Sequence, residues 1–207
     1  IEAQKKKRFA GNAARTCMED DLLDAAHAGD SSKVRRLLWQ EHGWQSGSLQ
    51  QALHAAAYQG HEATVAALVG ARADANAWQQ DGSTPLGAAC GGGHTEAART
   101  LIGLNAFVDH PADDVGTTPL HIACSVGSRQ VAELLMLARA DLNRADVHGS
   151  TALYWASVSG HEHCALCLIA SHAAVNKSRT DDGRTPLAAA CAAGVTAIVK
   201  LLLSAQA

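Results

Sequence analysis

Two histidines and two cysteines lie within seven residues of one another in the last third of the chain. His161, His163, Cys164 and Cys167 fall in the string GHEHCALCLIA at residues 160–170. Imidazole nitrogens and thiolates are the ligands of structural zinc, and a closely spaced cysteine pair can also carry redox chemistry. A closed zinc site needs four ligands, and the sequence contains no second Cys/His cluster to complete one. Whether the string is a metal or redox site or part of an ordinary helix core therefore depends on the secondary structure around it.

The composition limits the classes of partner. Hydrophobic residues make up 47% of the 207 residues, yet aromatic residues make up only 4%. Alanine, leucine and valine therefore supply most of the apolar content, which suits helices packed closely together. The formal net charge of −3 is near balance, so we expect neither nucleic acid nor an anionic membrane surface as the partner. No run of eighteen apolar residues is present, so we do not expect a membrane span.

Cysteine usage favours a reducing environment. Six cysteines, of which only Cys164 and Cys167 are closely spaced, do not make a dense disulfide scaffold in a chain of this length. We therefore expect a reducing intracellular compartment, which could be the cytoplasm, the nucleus or an organelle interior. The first residue is Ile1 rather than methionine, and from this we expect a processed or trimmed part of a longer protein.

A repeat of about 33 residues covers nearly the whole chain. Five similar segments are QALHAAAYQGHEATVAALV, TPLGAACGGGHTEAARTLI, TPLHIACSVGSRQVAELLM, TALYWASVSGHEHCALCLI and TPLAAACAAGVTAIVKLLL, and DLLDAAHAGDSSKVRRLLW fits upstream of them. The leucine near the start of each unit lies at position 22, 53, 86, 120, 153 or 187. A period of this length predicts stacked supersecondary units that share one continuous core.

Each unit contains the signals of two helices separated by a turn. Threonine followed by proline, as at Thr84, Thr118 and Thr185, marks a helix start, because the hydroxyl can cap an unpaired N–H and proline there gives up no needed donor. The second helix carries apolar residues at i, i+3 and i+4, which predicts one buried stripe. A glycine follows the first helix of every unit and indicates a left-handed cap: Gly29, Gly60, Gly93, Gly127, Gly160 and Gly194.

This pattern resembles the ankyrin repeat family. The family's Thr-Pro-Leu-His opening is complete at residues 118–121, a Gly-His pair opens the second helix in three units, and the Gly-Ala-Asp-x-Asn segment is present as RADAN, NAFVD, RADLN and HAAVN. The resemblance implies an all-α ankyrin-repeat solenoid of stacked helix–turn–helix units with finger turns. We assign an N-terminal basic extension at 1–19 and an ankyrin repeat domain at 20–207, with six repeats at about 20–48, 49–78, 79–112, 113–145, 146–179 and 180–207.

Two departures from the family pattern carry structural expectations. Arg72, Asn105, Arg139 and His172 stand where the family has glycine. We expect left-handed backbone at these positions, where each non-glycine residue costs on the order of 1 kcal/mol. The links after residues 109 and 176 each hold one extra residue, so we expect those two fingers to bulge.

The repeat also changes the interpretation of GHEHCALCLIA. Cys164 falls in the register of apolar stripe residues, and Cys167 falls in that of the leucines at 37, 68, 101, 134 and 201. A free cysteine at such a position behaves as a small apolar residue, so we expect both to be core residues. His161 is the family's ordinary Gly-His histidine, and we expect His163 on the outer helical surface. We therefore expect no metal, no cofactor and no catalysis.

In the ankyrin family the concave face, formed by the finger turns and the exposed side of the first helices, binds partners. Tyr58 and Trp78 stand out on that face because aromatic residues are scarce in this chain and are typical interface anchors, although Trp78 could equally pack across a neighbouring finger. The aspartates at 113–114 and 181–182 favour a basic or mixed partner surface. Carried over position by position, the resemblance implies these partner-binding residues: Tyr58, Trp78, Asp81, Asp114, Val115, Val126, Val147, His148, Val158, Asp182 and Arg184.

The function implied is that of a non-catalytic protein–protein interaction module, an adaptor or accessory subunit of a larger assembly. The last unit ends in IVKLLLSAQA without a polar cap, so we expect further chain or another protein over its apolar flank. The alternative is the targeting arm of an enzyme, such as a ubiquitin ligase receptor or a kinase, whose catalytic part is not in this chain. The basic run KKKRF at residues 5–9 could be a nuclear-import signal, a contact to an acidic partner or a solvated tail.

Overall fold

The computed structural model describes residues 16–40 and 44–205. This part of the chain contains twelve helices. The first, α1, covers residues 16–27. The others are α2 (Ser31–Gln40), α3 (Ser46–Tyr58), α4 (Glu62–Gly70), α5 (Pro85–Gly91), α6 (Thr95–Gly103), α7 (Pro119–Val126), α8 (Arg129–Leu137), α9 (Ala152–Ser159), α10 (Glu162–Ala170), α11 (Pro186–Ala192) and α12 (Thr196–Ser204). They form six successive helix pairs, and the all-α prediction is confirmed. The basic run at 5–9 lies outside the described residues.

One hydrophobic core runs through the whole stack. The repeat leucines from Leu22 to Leu153 are fully buried, and so is one small alanine of each first helix from Ala26 to Ala190. The substantial helix–helix contacts lie within a pair or between neighbouring pairs. Because alanine has the smallest side chain that still favours a helix, successive first helices can lie close together. The stack is therefore held by nearest-neighbour packing, as in other repeat proteins.

Threonine hydroxyls cap the N-termini of four of the first helices. The Oγ1 atoms of Thr84, Thr118, Thr151 and Thr185 accept hydrogen bonds from the backbone N–H three residues later, at 3.1–3.4 Å. His121 completes a capping box, because its Nδ1 accepts from the backbone N–H of Thr118 at 2.9 Å. The predicted helix starts are confirmed, and the histidine of the Thr-Pro-Leu-His motif has a structural role.

Left-handed residues end the helices where the sequence predicts them. All six predicted cap glycines have positive φ, between 71° and 79°. The four non-glycine residues Arg72, Asn105, Arg139 and His172 also have positive φ, between 64° and 70°. These four residues follow the second helices. Because their φ is positive, each holds a backbone conformation that glycine would adopt without steric cost.

Polar side chains in the links tie each repeat to the next. The Oδ1 atom of Asn76 accepts from the backbone N–H of Phe107 at 2.7 Å, and that of Asn143 accepts from Ala174 at 2.7 Å. Two of the Gly-His histidines do the same at the first helices. Nε2 of His61 donates to the carbonyl of His27 at 3.0 Å, and that of His161 to the carbonyl of Ser125 at 2.9 Å. A Cβ atom at Gly127, the cap glycine of the preceding repeat, would lie 2.4 Å from the imidazole ring of His161. Packing therefore also requires glycine at position 127.

The predicted core position of Cys167 is wrong, whereas that of Cys164 is confirmed. Cys164 is buried, but Cys167 is only partly buried and its thiol donates to Oε1 of Glu133 at 3.5 Å. The extra residue in the link after 109 moves the buried column to Leu135 and Leu168, so that Cys167 aligns with Leu134 instead of Leu135. A shift of one residue turns a helical side chain by about 100°, which brings Cys167 towards the surface.

Candidate protein-binding face

Four hairpin-like fingers connect the second helix of one repeat to the first helix of the next. Backbone hydrogen bonds close them between Gln79 and Ser83, Ala112 and Thr117, Asp146 and Ser150, and Arg179 and Arg184, at 2.7–3.0 Å. The second and fourth fingers thus close over six residues and the first and third over five. The extra residue predicted in the links after 109 and 176 therefore lies inside the finger turns.

The fingers are joined to one another and to the first helices. The backbone N–H of Val147 donates to the carbonyl of Val115, and that of Thr180 to His148, both at 2.9 Å. The indole N–H of Trp155 on α9 donates to Oδ2 of Asp146 in the third finger at 3.3 Å. Fingers and first helices thus form one connected surface, which we call the finger face.

The predicted partner-binding residues all lie on the surface. Each of the eleven is exposed. Tyr58 at the end of α3 is 55% exposed, Trp78 before the first finger 52%, and Val147 in the third finger 64%. Valine, tyrosine and tryptophan at such exposure contribute nothing to the core and leave apolar area in water. The finger face therefore presents apolar side chains at the turns and at the C-terminal ends of the first helices.

The helical part of the finger face is uncharged. From α3 to α11 the five first helices contain no aspartate, glutamate, lysine or arginine. His54 and His121 are the titratable imidazoles there, and burial lowers the pKa of both. His121 uses both ring nitrogens in its neutral form, since Nε2 donates to the carbonyl of Arg144 at 3.0 Å while Nδ1 accepts. From α3 onwards, charge on this face is therefore confined to the fingers, whereas α1 carries four acidic residues.

Charge differs between the two ends of the finger row. In the fourth finger, Arg179 forms ion pairs with both Asp181 and Asp182, and Arg184 approaches Asp182 at 3.4 Å. No described residue forms an ion pair with Asp81, Asp113 or Asp114 of the first two fingers. The expectation of acidic fingers therefore applies to the first two, whereas the aspartates of the fourth are neutralised within the chain.

A serine, a histidine and an aspartate meet at the first finger, but not in a catalytic order. The hydroxyl of Ser83 lies 2.6 Å from Oδ1 of Asp81 and 2.8 Å from Nε2 of His54. A serine nucleophile needs a histidine that accepts its proton and a carboxylate that orients the histidine. Here the serine donates to the carboxylate instead, which lowers the pKa of Asp81. The arrangement fixes the finger against α3.

Three aromatic rings form a cluster that the sequence did not predict. The indole N–H of Trp78 donates to Nε2 of His110 at 3.3 Å, with the ring centroids 4.9 Å apart and the planes perpendicular. Phe107 stacks on the ring of His110, at 6.0 Å between centroids and 11° between planes, and is 61% exposed. Trp78 thus both packs across to the next repeat and remains half exposed. We call these three residues the aromatic cluster.

The histidines and cysteines of GHEHCALCLIA do not converge. His163 is exposed, as predicted, and His161 is used in the bond between repeats. All six cysteines are free, and the neighbouring thiol of Cys164 together with burial raises the pKa of Cys124. Among the described residues, no group of three or more His, Cys, Asp or Glu side chains could hold a metal ion. No helix within those residues has the length and apolar character that crossing a bilayer requires.

Helix pairs stacked in register and linked by finger turns define the chain as a helical repeat protein of the solenoid class. Three overlapping matches to the family model described as ankyrin repeats (3 copies) cover residues 22–110, 53–146 and 137–207. The chain belongs to the ankyrin repeat family, as the sequence motifs predicted. Ankyrin repeats are in general protein–protein interaction modules.

Curated relatives share the repeats over short parts of their length. The chain is 32% identical over 126 residues to the human transient receptor potential cation channel subfamily A member 1, and 34% identical over 121 residues to the human neurogenic locus notch homolog protein 2. A Caenorhabditis elegans homolog of the former is 29% identical over 158 residues. These matches cover 59%, 58% and 73% of this chain, but only 11%, 5% and 13% of the respective relatives.

Proposed function

We propose that the chain is a non-catalytic protein-interaction module, an adaptor or accessory subunit of a larger assembly, and that it binds its partner through the finger face. One observation carries this proposal. Six of the predicted residues are large apolar side chains exposed on that one face: Tyr58, Trp78, Val115, Val126, Val147 and Val158.

The physical argument is preorganisation. The fingers are fixed to one another and to the first helices by hydrogen bonds, so a partner does not have to order them on binding. The uncharged first helices lose little polar hydration when covered. A prefolded surface with exposed apolar anchors is therefore suited to bind a protein.

Site-specific photo-crosslinking in native extract tests the proposal. A benzoylphenylalanine placed at Tyr58 or Val147 is expected to capture a discrete partner that mass spectrometry can name. The matched control places the same group at Leu137 on α8, which is 82% exposed on a second helix. Partners captured only from Leu137, and from neither site on the finger face, would contradict the proposal.

The second candidate function is that of a targeting arm of an enzyme. It is favoured by the human ARF GTPase-activating protein GIT1, which shares 36% identity over 77 residues with this chain, a match that covers 10% of that protein. The sequence of the full-length transcript distinguishes the two. An open reading frame that encodes a catalytic domain supports the targeting arm, and a frame that encodes only interaction repeats supports the adaptor.

A further inference from the structure

We propose that the aromatic cluster, together with Asp81 and Asp114 of the two adjoining fingers, docks an arginine-bearing segment of the partner protein. The inference rests on the proposed function and goes further, because it adds Phe107 and His110 to the surface and states the chemistry of what binds there. Three observations support it: the exposure of the rings, the way they are held, and the charge around them.

Two of the rings leave apolar area in water. Trp78 and Phe107 are each more than half exposed, and both contact the ring of His110. An aromatic side chain buries about 150–250 Å² when covered, so the pair offers on the order of 250 Å² to a partner. Covering this aromatic area by a partner removes apolar surface from water, which favours binding.

The rings are also held in place before any partner arrives. The hydrogen bond from Trp78 to His110 fixes the indole, while the backbone of Phe107 is bound at 2.7 Å to Asn76 of the preceding repeat. Nδ1 of His110 lies 3.2 Å from the carbonyl of Pro111. A binding partner therefore does not have to order these side chains, which lowers the entropic cost of docking.

The sequence segment that contains the aromatic cluster is acidic. Between residues 73 and 128 the only basic residue is Arg99, which is paired with Glu96 at 3.1 Å. That segment carries a net charge of −5, whereas the whole chain carries −3. Its acidic residues are Asp74, Asp81, Glu96, Asp109, Asp113 and Asp114.

The two fingers place carboxylates directly after the rings. Asp81 follows Trp78 by three residues and Asp114 follows His110 by four; both are exposed, and neither has an ion-pair partner in the described part of the chain. A guanidinium stacks on aromatic faces and pairs with carboxylates at the same time. Arginine is therefore the side chain that can stack on the rings and pair with the finger carboxylates at the same time.

Peptide selection tests this inference directly. A displayed library of random twelve-residue peptides is selected on the wild-type chain and, separately, on the Trp78→Ala/Phe107→Ala double variant. Peptides recovered only from the wild-type chain are expected to be enriched in arginine. Synthetic copies with citrulline in place of arginine, which removes the charge and keeps the shape, are expected to bind at least about fivefold more weakly.

Matched variants locate the effect. Asp114→Asn is expected to weaken binding of the selected peptides about two- to fivefold, whereas Glu162→Gln, which removes an exposed carboxylate on α10 outside the fingers, is expected to change binding less than twofold. Trp39→Ala on α2 removes an indole that is 85% exposed and is expected to leave binding unchanged. Circular dichroism of each variant establishes that it is folded, and Phe107→Ala alone provides a variant that breaks no side-chain hydrogen bond.

The outcomes separate this inference from the proposed function. Recovery of the same peptides from both chains, enrichment without arginine, equal binding of the citrulline copies, or no binders at all would each overturn the arginine site. The proposed function fails separately, when photo-crosslinking from Tyr58 and Val147 captures no partner. A partner captured there whose affinity does not change in Phe107→Ala would leave the interaction module in place and remove the aromatic cluster from it.

Discussion

At the scale of single residues, the left-handed positions after the second helices are the clearest site of avoidable strain. Arg72, Asn105, Arg139 and His172 hold φ values that suit glycine. The structure gives Arg139 no ion pair with a described residue, and its side chain is exposed. A basic residue near a helix C-terminus recovers a few tenths of a kcal/mol through the helix dipole, which is less than the cost of the backbone conformation.

Arg139→Gly is therefore expected to stabilise the protein by at most about 0.5 kcal/mol. Relief of the left-handed conformation exceeds both the lost dipole interaction and the added freedom of the unfolded chain. Urea denaturation measures the change. Asn105→Gly serves as the comparison and should gain less, because asparagine tolerates this conformation better. A lower midpoint for Arg139→Gly would show that its side chain contributes more than its backbone costs.

Sequence reasoning succeeded at residues whose role is local to one repeat. The caps at Thr118 and Gly127 and the left-handed Arg139 follow from a motif of a few residues. The aromatic cluster did not follow, because it joins Trp78 to His110, 32 positions away, through the relative placement of two loops. The spacing of these residues nevertheless contained a signal. Residues about one repeat apart are neighbours in a solenoid, so aromatic side chains at that spacing predict contacts between repeats.

At the scale of the helices and links, contacts between repeats depend on a few polar side chains. The amide of Asn143 supplies the acceptor for the backbone N–H of Ala174 in the next repeat, and Asn76 does the same for Phe107. These asparagines belong to the Gly-Ala-Asp-x-Asn motif. The motif therefore has a physical explanation: it satisfies a backbone donor that the stacking of the next repeat would leave unpaired.

Asn143→Ala is expected to destabilise the protein by about 1–2 kcal/mol. The substitution removes one hydrogen bond and leaves the N–H of Ala174 without its partner. Chemical denaturation measures the loss, and amide exchange at Ala174 should rise more than exchange within α10. Gln130→Ala on the exposed side of α8 is the matched control, with a change within about 0.5 kcal/mol. An unchanged midpoint for Asn143→Ala would show that water replaces the amide without cost.

The register of the second helices is the feature at this scale that residue spacing did not predict correctly. The helix pairs and the extra residues in two fingers were predicted correctly. Cys167 was nevertheless placed one column away, because the extra residue after position 109 lies in the finger and the fixed step of 33 does not account for it. Small changes of loop length thus leave the elements predictable while they change which face of a helix is buried.

At the scale of the whole molecule, stability should be distributed along the stack rather than concentrated in one centre. The substantial helix contacts lie within repeats or between neighbours. An end repeat therefore has one neighbour and a central repeat has two, so that loss of the same core side chain has different consequences at the two places.

Leu22→Ala and Leu120→Ala form a matched pair for this test, since both leucines hold the same position in their repeats and are fully buried. Each loss costs about 2–5 kcal/mol locally. In Leu22→Ala, hydrogen exchange should speed up in α1 and α2 while α5 to α10 stay protected, because the first repeat can open alone. In Leu120→Ala, protection should fall on both sides of α7, because the central repeat couples its two neighbours. An equal loss of protection along the whole chain in Leu22→Ala would show that the six repeats unfold as a single cooperative unit.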